Sequence, residues 1–255
     1  MISIEREGRV ATVTLRRGPR RNALSMELLS ALHAALGEVA ASDADAVIVA
    51  GEGPVFSGGH DLAEVAGATL EDIHALLDCC TAVMGTLRAM PQVSVARVHG
   101  LATAAGCQLV ASCDLAVAST EARFALPGGK GGWFCTTPLV AVGRAVGPKR
   151  ALELGLLGDP IDADTALAWG LVNRVVAPED LDAAVDELAH LATRGSPAAR
   201  AVGKAAFHHQ MGLSEADAYA YAVEVMAAAS QLPDAQEGAR AFVEKRSPTW
   251  GAAGA

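Results

Sequence analysis

"LATAAGCQLVASCD", Leu101 to Asp114, is the stretch on which the fold turns. Small residues crowd its first half, and an amide, Gln108, then stands among apolar neighbours in what reads as a buried helix. Small side chains leave peptide groups open to close approach, so a backbone this bare raises the question of what approaches it. The flanks give its setting. "QVSVARV" at 92–98 is a strand signal ahead of a His99-Gly100 turn, and "DLAVAS" at 114–119 is a strand signal behind the helix.

The same plan occurs earlier in the chain. "AVIVA" at 46–50 reads as a buried strand, "PVF" at 54–56 as a short extended piece, and a glycine turn then leads to a helix starting near Asp61. Further upstream, "ISIEREGRVATVTL" predicts two strands around Gly8. A helix follows "RRGPRRNAL", with Ser25 as N-cap and Leu28, Leu29, Leu32, Leu36 and Val39 on one face. Thr69 caps a second amphipathic helix, which carries Leu70, Ile73, Leu76, Leu77, Cys80, Val83, Met84 and Leu87 as its stripe and ends at Pro91. With "ARFALP" as a later strand, the order strand, strand, helix recurs through the first two-thirds of the chain. From Pro178 the pattern is almost wholly helical, with breaks at Gly195-Ser196-Pro197, Gly212 and Leu232-Pro233. That shift predicts an α/β core over 1–195 and a helical part over 196–255, with a frayed "GAAGA" end.

Composition narrows the function classes. Hydrophobic residues make up 51% of the 255 residues, enough for a sizeable core, and a net charge of −9 argues against a broad nucleic-acid surface. "RRGPRR" at 16–21 nevertheless offers a local anion site. No apolar run reaches the length of a membrane span, and the polar start at Ser3 and Glu5 predicts no secretory leader. Five cysteines without zinc-type spacing predict no metal site and reduced thiols, hence a cytoplasmic location.

Each of the two glycine-rich turns delivers the chain into a helix, whose first N–H groups lack intrahelical acceptors. With the helix dipole behind them, such groups favour an anion or a developing negative oxygen. Gly58, Gly59, Ala104, Ala105 and Gly106 would let a ligand reach the main chain. Taken singly, each loop also fits an ordinary glycine turn before a tightly packed helix.

Five segments together resemble the enoyl-CoA hydratase/isomerase, or crotonase, superfamily: "PRRNAL", "VFSGGHDL", "HGLATAAGCQLVASCDLAVAS", "ARFALPG" and "FVEKRSPTW". The likeness spans nearly the whole chain. It is nearest to hydratase-domain-containing members with a Phe-Ser-x-Gly-His-Asp-Leu loop and a glutamine at the first glutamate position. It implies a crotonase-like α/β spiral of repeated ββα units, a C-terminal helical trimerisation region, and acyl-CoA or enoyl-CoA as ligand, with no further cofactor. A homotrimer or dimer of trimers is implied as well, with no nucleic-acid or membrane partner.

The resemblance carries two oxyanion-hole donors onto the backbone N–H groups of His60 and Ala105. Ala105 replaces the family's usual glycine, at little cost if its φ is already helical. CoA contacts are implied for Arg20, Arg21, Ala23, Gly58, Gly59, Asp61 and Leu62, and for Phe242 and Lys245 in the C-terminal helix.

The same alignment sets Gln108 at the first catalytic glutamate position and Gly128 at the second. An amide cannot take up and return a proton as a carboxylate does. Positioned acid–base groups typically contribute ~10²–10⁴-fold, so ordinary hydration is expected to be weak or altered. The substitute candidates are the His60 imidazole and, in "GGKGGWFCTT" at 128–137, the Cys135 thiol; each also fits a structural or pocket-lining role. Asp61 fits a helix cap better than a base. The expected function is thus thioester-enolate stabilisation with altered chemistry, the alternative being a non-catalytic acyl-CoA-binding or structural partner protein.

Overall fold

A computed structural model describes residues 1–251. The chain opens with an antiparallel pair, β1 (Ile2–Glu7) and β2 (Val10–Leu15), followed by α1 (Met26–Ala40). Then come β3 (Ala46–Gly51), β4 (Val55–Ser57), α2 (Leu62–Val65) and α3 (Leu70–Ala89). The next turn repeats the pattern as β5 (Val93–Val98), β6 (Leu101–Thr103) and α4 (Ala105–Ser112). A third has β7 (Leu115–Ser119), β8 (Arg123–Ala125), α5 (Thr136–Val146) and α6 (Pro148–Leu157). The last strands, β9 (Ile161–Asp162) and β10 (Arg174–Val176), flank α7 (Ala163–Trp169). Four helices close the chain: α8 (Leu181–Ala192), α9 (Pro197–Gln210), α10 (Glu215–Ala229) and α11 (Pro233–Glu244).

β1 and β2 both join one sheet, whereas in each of the next three strand pairs the first strand joins that sheet and the second joins another. The larger sheet has the order β1-β2-β3-β5-β7-β10, parallel from β2 onward, and the smaller has the order β4-β6-β8-β9. This is the spiral of ββα units that the family resemblance implies. β3, buried along its whole length, is the unbroken apolar strand expected inside a covered parallel sheet. Leu28, Leu29, Leu32 and Leu36 of α1 are fully buried, each contributing about 1.5–3 kcal/mol of burial. A second cluster lies where Leu181, Val185 and Ala189 of α8 cover Ala46, Val95 and Val117 of the sheet.

The helix caps behave as read, although Leu70, expected on the apolar stripe of α3, is exposed. Ser25 accepts from Leu28 N, and Thr69 forms a full capping box with Asp72. Ser196, the first residue of the expected helical part, caps α9. Beyond it α9 is still tied to the core: Lys204 Nζ donates to Leu87 O, Gln92 O and Asp114, and Arg200 pairs with Asp45 at 2.7 Å. α10 has no buried residue, and Tyr219, Val223 and Met226 on it are exposed. Past Gly251, the frayed end expected of the tail lies outside the described residues.

Candidate functional site

β4 and β6 are neighbours in the smaller sheet, pairing in parallel with Val55 opposite Leu101 and Ser57 opposite Ala102. Parallel pairing sends both chains out at the same sheet edge, so the turn before α2 meets the turn before α4. The contact is close. A Cβ on Gly59, whose φ is +81°, would stand 2.8 Å from Ala104 Cβ and 3.3 Å from Ala105 N. Gly106 is equally constrained, since a Cβ there would lie 2.5 Å from Ser57 O. The bare backbone of 101–114 therefore lets α4 press its first turn against the end of β4.

A third segment fixes this junction. Asn22, fully buried at φ 49°, donates through Nδ2 to Glu52 O, Val55 O and Phe56 O and accepts from Arg17 N. Leu24 forms a parallel bridge with His60, with Leu24 N donating to Gly59 O at 2.8 Å. That bridge uses the Gly59 carbonyl and the Asp61 N–H, and it leaves the His60 N–H pointing elsewhere. Among the described residues, neither His60 N nor Ala105 N donates a hydrogen bond. Two unspent donors on adjoining peptides, one at a helix N-terminus, can stabilise negative charge on an oxygen.

The strain sits one residue before the site expected. Ala105 begins α4, so its methyl group is tolerated as anticipated. Ala104, however, has φ 51° and ψ −119°, a conformation that favours glycine.

Polar atoms without partners gather around the same junction. Gln108, one helical turn beyond Ala104, is 5% exposed, and its Oε1 makes no hydrogen bond; neither does Thr103 Oγ1 nor His60 Nε2. His60 Nδ1 faces Leu24 O at 3.4 Å, and its ring lies 5.9 Å from that of Trp133 at a 38° tilt. Burial lowers the His60 pKa from its ordinary value, opposed by the Leu24 carbonyl and the charge of Glu64.

Trp133 belongs to the loop after β8, which also carries Gly128 and Cys135. A Cβ on Gly128 would stand 2.2 Å from Trp133 O and 2.7 Å from Cys135 Sγ. There is no room at 128 for a glutamate without refolding the loop. Cys135 is buried, and burial raises its pKa, opposed by a hydrogen bond from the Gly128 backbone. Cys107 beside it is pushed up to about 12, by burial first and Cys135 second. Burial thus favours the protonated thiol at both positions.

Asp61 caps α2 by accepting from Ala63 N, and it bonds Arg17 at 2.8 Å and Arg20 at 3.3 Å. Burial opposes its charge, but these partners outweigh burial and hold its pKa below the usual carboxylate value. Of the residues expected at CoA, Arg20 thus leans on Asp61, whereas Arg21 and Leu62 are exposed and Ala23 is half-buried. Phe242 and Lys245 stand exposed at the end of α11, which packs against α9. Arg17 and Asn22 escaped the sequence reading, although both lie in the "RRGPRRNAL" segment that it singled out. A cavity of about 620 Å³ opens at the far end of α4, beside Cys113, Asp114, Arg144 and Lys204, and holds none of the expected site residues.

Comparison with known proteins settles the family. The profile of the enoyl-CoA hydratase/isomerase family matches residues 5–253. The chain belongs to that family. Within it, the chain is 44% identical over 252 residues to enoyl-CoA hydratase domain-containing protein 3, mitochondrial, of Rattus norvegicus, covering 98% of this chain and 84% of the relative. The human protein of that name is 41% identical over 243 residues, covering 94% of this chain and 80% of the relative. Among solved structures, an enoyl-CoA hydratase from Mycobacterium smegmatis superposes with a TM-score of 0.94 at 45% identity, covering 98% of both chains. The structure of the human domain-containing protein 3 gives 0.93 at 40% identity, covering 98% of this chain and 99% of that one.

These relatives correct one expectation. The rat and human proteins are named as mitochondrial, which overturns the cytoplasmic location inferred from the cysteines. All five cysteines are free, but a free thiol marks a reducing environment and not one compartment. Among the described residues, no helix is long and apolar enough to cross a membrane.

Proposed function

We propose that this family member binds acyl-CoA or enoyl-CoA thioesters and stabilises their enolate between the His60 and Ala105 N–H groups. The observation that carries the reading is the pair of unspent peptide donors held together by the Gly59–Ala104 contact. A thioester carbonyl seated there gains most when its oxygen becomes negative, on the order of 3–4 kcal/mol per donor. Ordinary hydration is weak or altered, because Gln108 is an amide and Gly128 has no space for a side chain. Arg20 and Arg21 would meet the CoA phosphates, with Ala23, Asp61 and Leu62 along the same edge. Lys245 would reach the CoA, and Phe242 border its adenine, from a neighbouring subunit of a trimer, in which the exposed apolar residues of α10 become buried. The mitochondrial relatives favour the same compartment for this chain.

The second reading, a non-catalytic acyl-CoA-binding protein, draws on one observation: Trp133 O and Cys135 Sγ crowd the position of the second carboxylate. Calorimetric titration with crotonyl-CoA, followed by mass spectrometry of the incubated thioester, tests both. Binding with hydration at least ~10²-fold below that of a two-glutamate family member is expected. Failure to bind crotonyl-CoA and longer enoyl-CoA esters overturns the proposal, and hydration at the ordinary rate overturns its altered chemistry.

A further inference from the structure

We infer that the His60 side chain is the acid–base group of this site, its Nε2 taking the α-proton of a thioester whose carbonyl the His60 and Ala105 N–H groups hold. The inference rests on the thioester-binding reading above and assigns the proton-transfer step that reading leaves without a residue.

Geometry narrows the choice. Cys107 and Cys135 are buried thiols. The Asp61 oxygens are occupied by Arg17, Arg20 and Ala63 N. Glu64 is exposed, and its Oε2 accepts from Met26 N at 2.8 Å. His60 Nε2 is buried, makes no hydrogen bond, and keeps a lone pair if the proton sits on Nδ1. The Leu24 carbonyl, 3.4 Å from Nδ1, favours that tautomer.

The ring also faces the right way. It lies against Trp133, and the carbonyl of Trp133 fills the space beside Gly128. The imidazole therefore points toward the loop that carries the second glutamate position, and not out into solvent. The missing Cβ at 128 lets this loop close far enough to hold the ring. Burial keeps the imidazole neutral near pH 7, the form that a base requires. The ionisable groups around it are Glu64 from α2 and the adjacent Asp61 with its two arginines.

In the step, the α C–H bond breaks and its proton moves to Nε2, giving an imidazolium. The C–H electron pair forms the Cα–C1 double bond, and the carbonyl π pair moves onto oxygen, where the two N–H groups receive it. Reversal returns a proton to the α-carbon, and exchange of the imidazolium with heavy water makes that proton a deuteron. No oxidant or second substrate enters.

The test uses propionyl-CoA and octanoyl-CoA in heavy water, with α-deuterium read by mass spectrometry and binding by calorimetry. His60→Gln and His60→Ala both keep the peptide N–H. They should retain binding and lose ~10²-fold or more of the exchange rate, with free imidazole partly rescuing His60→Ala. The wild-type rate should rise through an inflection below pH 6.5 and then level, and the variants should lack that inflection. Exchange at the wild-type rate in either variant overturns the assignment of His60. Binding without exchange in the wild type overturns it as well, while leaving thioester binding intact. Absence of binding overturns the thioester reading itself.

Discussion

Gly59 packs against Ala104 with no space for a side chain between them: a Cβ at 59 would be 2.8 Å from Ala104 Cβ. The contact brings the His60 and Ala105 peptides side by side, so separating it should cost stability and binding together. Gly59→Ala adds a methyl group at φ +81° and is expected to destabilise by about 1–3 kcal/mol. Acyl-CoA affinity, measured by calorimetry on the folded fraction, should fall as well. Unchanged affinity would mean that the two peptides do not act as one site.

Ala104 holds strain that glycine would release. At φ 51° and ψ −119°, Ala104→Gly should stabilise by roughly 1 kcal/mol, seen as a rise in Tm of about 2–4 °C. A fall in Tm would mean that the packing of its methyl group outweighs the backbone strain.

The two glutamate positions should answer mutation differently. Gln108→Glu changes one atom of a side chain that already fits, and it should raise crotonyl-CoA hydration about tenfold or more. Gly128→Glu must displace Trp133 O and Cys135 Sγ, so it should lower Tm by several degrees and give no gain, alone or added to Gln108→Glu. A full gain in the double variant would show that the loop refolds at little cost.

Asn22 is the tie whose loss should be felt most widely. Asn22→Ala leaves three carbonyls without their shared donor and removes the acceptor for Arg17 N. The expected loss is ~2–4 kcal/mol, read from the denaturant midpoint at constant m-value. A loss under about 1 kcal/mol would mean that neighbouring groups take over these bonds.

Stability should also depend on pH near neutrality. Burial lowers the pKa values of His60, His99 and His208, and each keeps a proton less readily folded than unfolded. Below their ordinary value of 6.5 the unfolded chain binds more protons, so stability is full above that pH and falls as pH drops through the folded values. Denaturant midpoints from pH 8 to 5 should decline, and His99→Gln should flatten the slope. The Asp61 contribution has the same sign but a lower window: present above about pH 4, lost on stronger acidification.

What the sequence disclosed is what local chemistry encodes. The caps at Ser25 and Thr69, the apolar stripe of α1 and the run "AVIVA" each act within a few residues, and each was readable. Asn22 bonds carbonyls 30 to 34 residues away, and Arg17 bonds Asp61 across 44, so neither differs locally from its turn neighbours. The crowding at Gly128 was invisible for the same reason, because it arises from how the loop to Cys135 folds back. β9, two residues long, gave no periodic signal and was missed. His60 was noticed by type, but only the ring of Trp133 shows which way it turns.

The spiral threads one small site through residues 22, 59, 105 and 133, each on a different turn or loop. During synthesis, a nascent chain released as far as residue 100 has made Gly59 and His60 but not the peptide that completes the pair. Such long-range closure comes late, after the loop entropy of each turn has been spent. A ligand gripped by both peptides would therefore recognise only chains that have wound as far as the start of α4. Its binding would report that closure, and a saturating pool of it would draw late intermediates toward the native state by mass action.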